Sequence, residues 1–351
     1  MALREDGFMK AGITIVDADG HVQERPSIYR QYLELPHNAR GDRDIYPGDG
    51  FHRARGGTGA RQPQTVEDML ADMDVEGIDT MVVFPTLGLN LGMIREPDYA
   101  AALARAYNNW VYDFRKAAPE RLQAVAILPL VDLPAAVREL ERAAAELGVC
   151  GAMVHTEVSR QNVGDEAYWP LYATAQRLNL PIAFHAHGSG SPDTYRWRTF
   201  LGAHTWSHLP EQLITAASVV YGGVLEKLPY LRVSFLEAGC GWMPFWMEHL
   251  DEEWEKRKFD APLLIDRPSA YLGSGRCWVS CEPEEKTIPY VAQWIGEDQI
   301  LYASDYPHWD GGWPTTVDTI VQRTDLSDSL KRKILGENAM RFYNLTVRVP
   351  A

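Results

Sequence analysis

Eight short apolar runs, each followed by a longer helical pattern, constrain this chain more than any other feature. The runs cover residues 13–17, 79–84, 122–128, 150–155, 181–187, 231–237, Cys277–Cys281 and 299–304. Most are nearly continuous in Val, Ile, Leu, Phe and Ala, as strands buried on both faces must be. Between and after them lie helical patterns over 65–76, 98–116, 134–147, 167–178, 209–227, 242–256, 288–295, 315–323 and 328–342. Thr65 and Ser327 are placed to cap two of these, and Pro134 opens a third. Strands that alternate with helices form a parallel sheet, and eight is the number at which such a sheet closes. The expected fold is α/β, a (β/α)8 TIM barrel; an open doubly wound sheet is the alternative. That alternative lacks its phosphate-binding glycine signature, because the first run leads into Asp17-Ala18-Asp19-Gly20-His21.

No repeat or linker interrupts the pattern, so residues 1–351 are expected to form one barrel domain. One stretch departs from it. Residues 36–63 are rich in Arg and Gly, have no periodicity, and follow the first strand. A loop of that length is usually functional, and its position predicts a cover over the C-terminal mouth.

Composition narrows the partners. A formal net charge of −14 disfavours nucleic acid and anionic membranes. No stretch reaches the ~18 apolar residues of a membrane span, and the first residues lack a signal-like apolar core, so a cytoplasmic protein is expected. The four cysteines, Cys150, Cys240, Cys277 and Cys281, form no CxxC pair, and three lie in apolar runs. Buried thiols are expected.

The chemistry should sit where the strands end, because barrel active sites occupy that face. Polar residues crowd those ends. They are Asp17, Asp19 and His21 on the first strand, His155 on the fourth, and His185 and His187 on the fifth. Glu237 ends the sixth, and Ser304 and Asp305 end the eighth, with His308 shortly after. Residues two apart on a strand share a face, so Asp19 with His21, and His185 with His187, can each point into the mouth. Asp19, His21 and His185 could hold a divalent ion, with Asp305 as a fourth ligand or as a base. Zinc is the first expectation, with manganese or iron as alternatives. Taken singly, each residue has a plainer reading as a turn former or satisfied core histidine. Their convergence on one rim is what implies a site. His37, His52 and His249 read as surface residues, and His204 and His208 as possible contacts near the site. Arg53 and Arg55 on the first loop, with Trp206 and Trp242 beside the mouth, are candidate contacts for a small, flat substrate.

The chain resembles the amidohydrolase-related proteins, the branch with aminocarboxymuconate semialdehyde and resorcylate decarboxylases. The matching stretches are VDADGH, LPIAFH, GGVLEKLPYLRVSFLEAGCGWMPFW, LYASDYPH and ILGENAMRFYNL, in that order. The resemblance implies metal ligation by Asp19, His21, His185 and Asp305, chemistry that is hydrolytic or decarboxylating, and a homo-oligomer. Two departures stand out. The bridging lysine of dinuclear relatives has no counterpart in VHTEVSR on the fourth strand. Glu237 stands where the decarboxylases typically carry a histidine, which puts negative charge beside a substrate carboxylate.

Four functions therefore remain in view. The first is hydrolysis of a small, aromatic or cyclic carbonyl or carboxylate compound by metal-activated water, with Asp305 as base and Glu237 or His208 as acid. The second is non-oxidative decarboxylation of an aromatic or muconate-type acid. The third is oxygenation at a dinuclear iron or manganese centre, with Asp17, His187, Glu237, His155 or His308 on or behind a second ion. The fourth is a non-catalytic barrel subunit.

Overall fold

A computed structural model describes residues 12–41, 45–46, 65–156, 161–186 and 196–346. Eight parallel strands run in sequence order: β1 Val16–Val22, β2 Thr80–Pro85, β3 Leu122–Ile127, β4 Gly151–His155, β5 Ile182–His185, β6 Val233–Phe235, β7 Cys277–Cys281 and β8 Ile300–Tyr302. Nearly every strand residue is buried, which accounts for their continuous apolar runs. Beyond the last paired residues, β8 returns to β1. Asp305 N–H donates to Asp19 O (3.1 Å) and His21 N–H to Tyr306 O (2.6 Å). The sheet is thus a (β/α)8 barrel, as expected.

The helices follow in chain order. They are α1 Pro26–Tyr32, α2 Val66–Glu76, α3 Pro97–Arg115, α4 Leu133–Arg142, α5 Trp169–Arg177, α6 Phe200–Thr205, α7 His208–Tyr221, α8 Val224–Lys227 and α9 Trp242–Lys256. The last five are α10 Pro268–Leu272, α11 Ile288–Ile295, α12 Thr316–Val321, α13 Asp328–Arg332 and α14 Asn338–Tyr343. Thr65 and Asp68 form the full reciprocal capping box on α2, and Ser327 caps α13 through Leu330 N–H. No helix among the described residues is long and apolar enough to cross a membrane. All four cysteines are buried and free.

Several boundaries differ from expectation. The first strand begins later and runs further, Val16–Val22 rather than 13–17, so Asp19 and His21 lie inside it. Its register with β2 shifts between Asp17 and Gly20. Gly20 leaves room there for the Met81 side chain, whose sulfur a Cβ would meet. The pattern over 209–227 divides into α7 and α8, because Gly223 adopts a left-handed conformation (φ 69°) between them. The pattern over 328–342 divides at a π-helical turn, Lys333–Glu337, where Gly336 lies against the Thr14 backbone. Of the loop at 36–63, His37–Ala39 forms a 3-10 turn, and Ile45 and Tyr46 are buried. Tyr99 OH donates to Ile45 O (2.7 Å), tying that loop to α3.

Candidate metal and proton-transfer site

β1 delivers two side chains to the mouth, and backbone carbonyls fix how they face. His21 Nδ1–H donates to Pro85 O (2.8 Å), so Nε2 carries the lone pair toward the barrel axis. His185, at the end of β5, donates Nδ1–H to Ala186 O (2.6 Å) and likewise presents Nε2. Asp19 Oδ1 lies 3.6 Å from each of these nitrogens. Asp305 Oδ1, from the segment after β8, is 3.4 Å from His21 Nε2. Phe84 floors the group, 6.1 Å from the His21 ring and 5.5 Å from the His185 ring.

Asp19 Oδ1, His21 Nε2 and His185 Nε2 are buried and accept or donate no hydrogen bond. An unpaired buried polar atom costs about 1–3 kcal/mol, so three converging from two strands need a shared partner. Nitrogen and oxygen ligands about 2.1 Å from a tetrahedral ion would lie roughly 3.4 Å apart. The observed separations match, and the imidazole–carboxylate donor set suits a divalent first-row cation.

A second group adjoins the first. Ligating atoms of His21, Glu237, Asp305 and His308 all lie within 4.8 Å of one another. Asp305 Oδ1 and His308 Nδ1 are 2.6 Å apart, and His308 Nε2 is held by Thr86 Oγ1 at 3.1 Å. Glu237 is surrounded by three histidines. Its Oε2 is 3.5 Å from His185 Nδ1 and 3.5 Å from His208 Nε2, and its Oε1 is 3.8 Å from His308 Nδ1. Both acids sit in the left-handed backbone region, with φ 58° at Glu237 and φ 51° at Asp305. Non-glycine residues there carry strain, which is a recurrent property of functional sites.

The electrostatics follow from burial and this arrangement. Burial opposes charge on Glu237, yet His208 and His185 outweigh it and hold the carboxyl well below its ordinary range. Burial likewise opposes charge on His185, but Glu237 and Asp19 push it up to about 9 in the ion-free protein. Burial, with His308 and His185 nearby, drives His21 down, which favours the neutral imidazole. Burial raises the Asp305 carboxyl even with His308 beside it; burial opposes charge on His308, but the Asp305 and Glu237 carboxylates outweigh it and raise the imidazole well above its ordinary range.

Other candidates fall elsewhere. Asp17 faces away from the ligand set, so it is not a ligand of a second ion. Its Oδ1 accepts from Ser304 N–H (3.0 Å) and Asp19 N–H (3.2 Å), and Oδ2 accepts from Ser304 Oγ–H (2.5 Å). It clasps β1 to the segment after β8. His155 bonds Gly88 O through Nε2 (3.2 Å) and belongs to neither ligand group. Trp242 is not a substrate wall. Its ring packs on Phe235 in the core and its N–H donates to Gly239 O (2.9 Å). Trp206 is exposed at the end of α6. His187, Arg53 and Arg55 lie outside the described residues. Thr86 had no sequence signal, since nothing local marks a threonine after β2 as the partner of His308. The Asp310–His204 contact (3.2 Å), which fastens α6 to the segment after β8, was equally unannounced.

The chain belongs to the amidohydrolase family, whose sequence profile matches residues 16–345. It is 28% identical over 290 residues to the gamma-resorcylate decarboxylase of Polaromonas sp., covering 78% of this chain and 85% of that protein. It is 25% identical over 280 residues to the 2-amino-3-carboxymuconate-6-semialdehyde decarboxylase of Dictyostelium discoideum, covering 78% and 74%. Among solved structures it is similar to the 5-carboxyvanillate decarboxylase of Novosphingobium aromaticivorans, complexed with manganese and 4-hydroxy-3-methoxy-5-nitrobenzoic acid. That likeness has a TM-score of 0.75 at 20% identity and covers 98% of this chain and 100% of that one.

Proposed function

We propose that this protein is a metal-dependent, non-oxidative decarboxylase of an aromatic carboxylic acid. The observation that carries the reading is the partly buried Asp305–His308 pair, 2.6 Å apart, beside inward-facing polar atoms that no hydrogen bond satisfies. The decarboxylase relatives support it and move decarboxylation ahead of hydrolysis. Glu237 no longer argues against it. Three histidines surround that carboxylate, so its charge is compensated before a substrate carboxylate arrives.

Asp19, His21, His185 and Asp305 would hold the ion, with manganese favoured over zinc by the manganese-bound relative. When bound, the ion supplies positive charge that fixes a substrate carboxylate and a neighbouring oxygen. The chain's own groups do the remainder. Thr86 orients the His308 ring, and Glu237 keeps that ring charged. As the bond from ring carbon to carboxyl carbon breaks, its electron pair stays on the ring carbon and carbon dioxide departs. The Asp305–His308 pair gives its proton to that carbon, forming the new C–H bond, and recovers one from solvent.

The test is carbon dioxide release from a panel of hydroxybenzoic acids by purified protein, with and without chelation and manganese reloading. Release that needs metal supports the reading. Hydrolysis of aromatic esters or lactones with no carbon dioxide from any acid would overturn it.

A further inference from the structure

We infer that Glu237, Asp305 and His308, backed by His208, form a second divalent-cation site beside the first, with Asp305 as the bridge. The inference stands on geometry alone and is independent of the decarboxylation reading.

The atoms are placed for it. Asp305 Oδ1 lies between the two groups, 3.4 Å from His21 Nε2 and 2.6 Å from His308 Nδ1. Oδ1 is thus shared by the two groups, and a carboxylate so placed can bridge two ions, a role the missing lysine cannot fill. Glu237 Oε2 is buried without a hydrogen-bond partner and points among His185 and His208. The histidine tautomers suit ligation. His308 Nε2 is engaged by Thr86 Oγ1, which turns Nδ1 inward. Ser207 Oγ–H donates to His204 O (2.8 Å), so it accepts from His208 Nδ1–H (2.8 Å) and turns His208 Nε2 toward Glu237. Outer hydrogen bonds of this kind orient imidazole ligands around metals. The Glu237 and Asp305 carboxylates with the His308 imidazole, next to His21, form a donor set for Mn2+, Fe2+ or Zn2+, and His208 stands behind Glu237.

Asp17 and His155 take no part, so the second site differs in composition from the one the sequence suggested. The ion would also occupy the position of the His308 Nδ1 proton. If the protein decarboxylates as proposed, a second ion therefore inhibits, and activity falls at high metal concentration.

The experiment is a calorimetric titration of chelator-stripped full-length protein with Mn2+, read as ions per chain. Two ions per chain are expected, the second bound more weakly, with electron paramagnetic resonance showing a spin-coupled pair. In Glu237→Gln the second ion should weaken at least tenfold while one ion per chain still binds. His308→Gln serves the same purpose should Glu237→Gln fail to fold, which circular dichroism reports. One ion per chain at saturating Mn2+ overturns the inference, as does a second ion that neither variant weakens. No substrate enters the measurement, so its failure is distinct from failure of the decarboxylase reading.

Discussion

Replacing Ser304 with Ala tests whether the barrel seam and the ligand set are one mechanical unit. Ser304 Oγ donates to Asp17 Oδ2 (2.5 Å) and accepts from Tyr306 N–H (3.0 Å), all within the buried junction of β1 and β8. Asp17, through its other oxygen, holds the backbone N–H groups of Ser304 and Asp19. Removing the hydroxyl leaves a buried carboxylate oxygen and a buried N–H without that partner. Each costs about 1–3 kcal/mol, so the loss of stability should be about 2–6 kcal/mol. The same clasp sets the spacing of Asp19 and Asp305, which flank His21. Support of this kind typically changes metal affinity about 10–100-fold when lost. Two assays separate the effects: urea unfolding of the chelated protein, and Mn2+ titration of the folded protein well below its midpoint. The expected result is a lower midpoint and weaker metal binding together. A destabilised variant with unchanged metal affinity would refute the coupling, and a variant unchanged in both would refute the clasp.

Three further outcomes follow from the geometry. Burial raises the Asp79 carboxyl to about 6, and its Oδ2 accepts from Ile15 N–H (2.8 Å). Because the folded value lies above the unfolded one of about 3.9, the contribution is present at low pH and lost as pH rises through about 6. Asp79→Asn should therefore remove a downward slope of stability across that window, and parallel profiles for the two proteins would contradict this. Thr65→Ala removes one arm of the α2 capping box and should cost about 1 kcal/mol in urea unfolding, without altering metal binding. Thr86→Val releases the His308 ring and should lower kcat with little change in KM, since it disturbs proton delivery and not substrate contacts.

Much of this molecule was legible in the sequence because strands buried on both faces write themselves as apolar runs. The first strand was misjudged at its end for the same reason in reverse. Asp19, Gly20 and His21 look like a loop, and only pairing with β2 through a register shift keeps them in the sheet. Equal spacing also hid their different roles. Asp17 and Asp19 are two apart, yet one clasps Ser304 while the other faces the histidines. Glu237 could be placed at the mouth but not interpreted, because its neighbours His185, His208 and His308 come from three distant segments that meet only when the barrel closes. Trp242 sat beside the mouth in sequence, but the first turn of α9 carries it onto Phe235. The left-handed backbone at Glu237 and Asp305 has no sequence signature in a non-glycine residue.

As proposed, the Asp305–His308 pair, beside an ion held by Asp19, His21, His185 and Asp305, replaces a substrate carboxyl with a solvent-derived proton. The most direct measurement is decarboxylation of a hydroxybenzoic acid by manganese-loaded protein in D2O, with the product examined by proton NMR and mass spectrometry. One deuterium is expected, at the ring carbon that carried the carboxyl, formed only with metal bound and lost in His308→Gln. A product that retains its carboxyl and gains oxygen or water would contradict it.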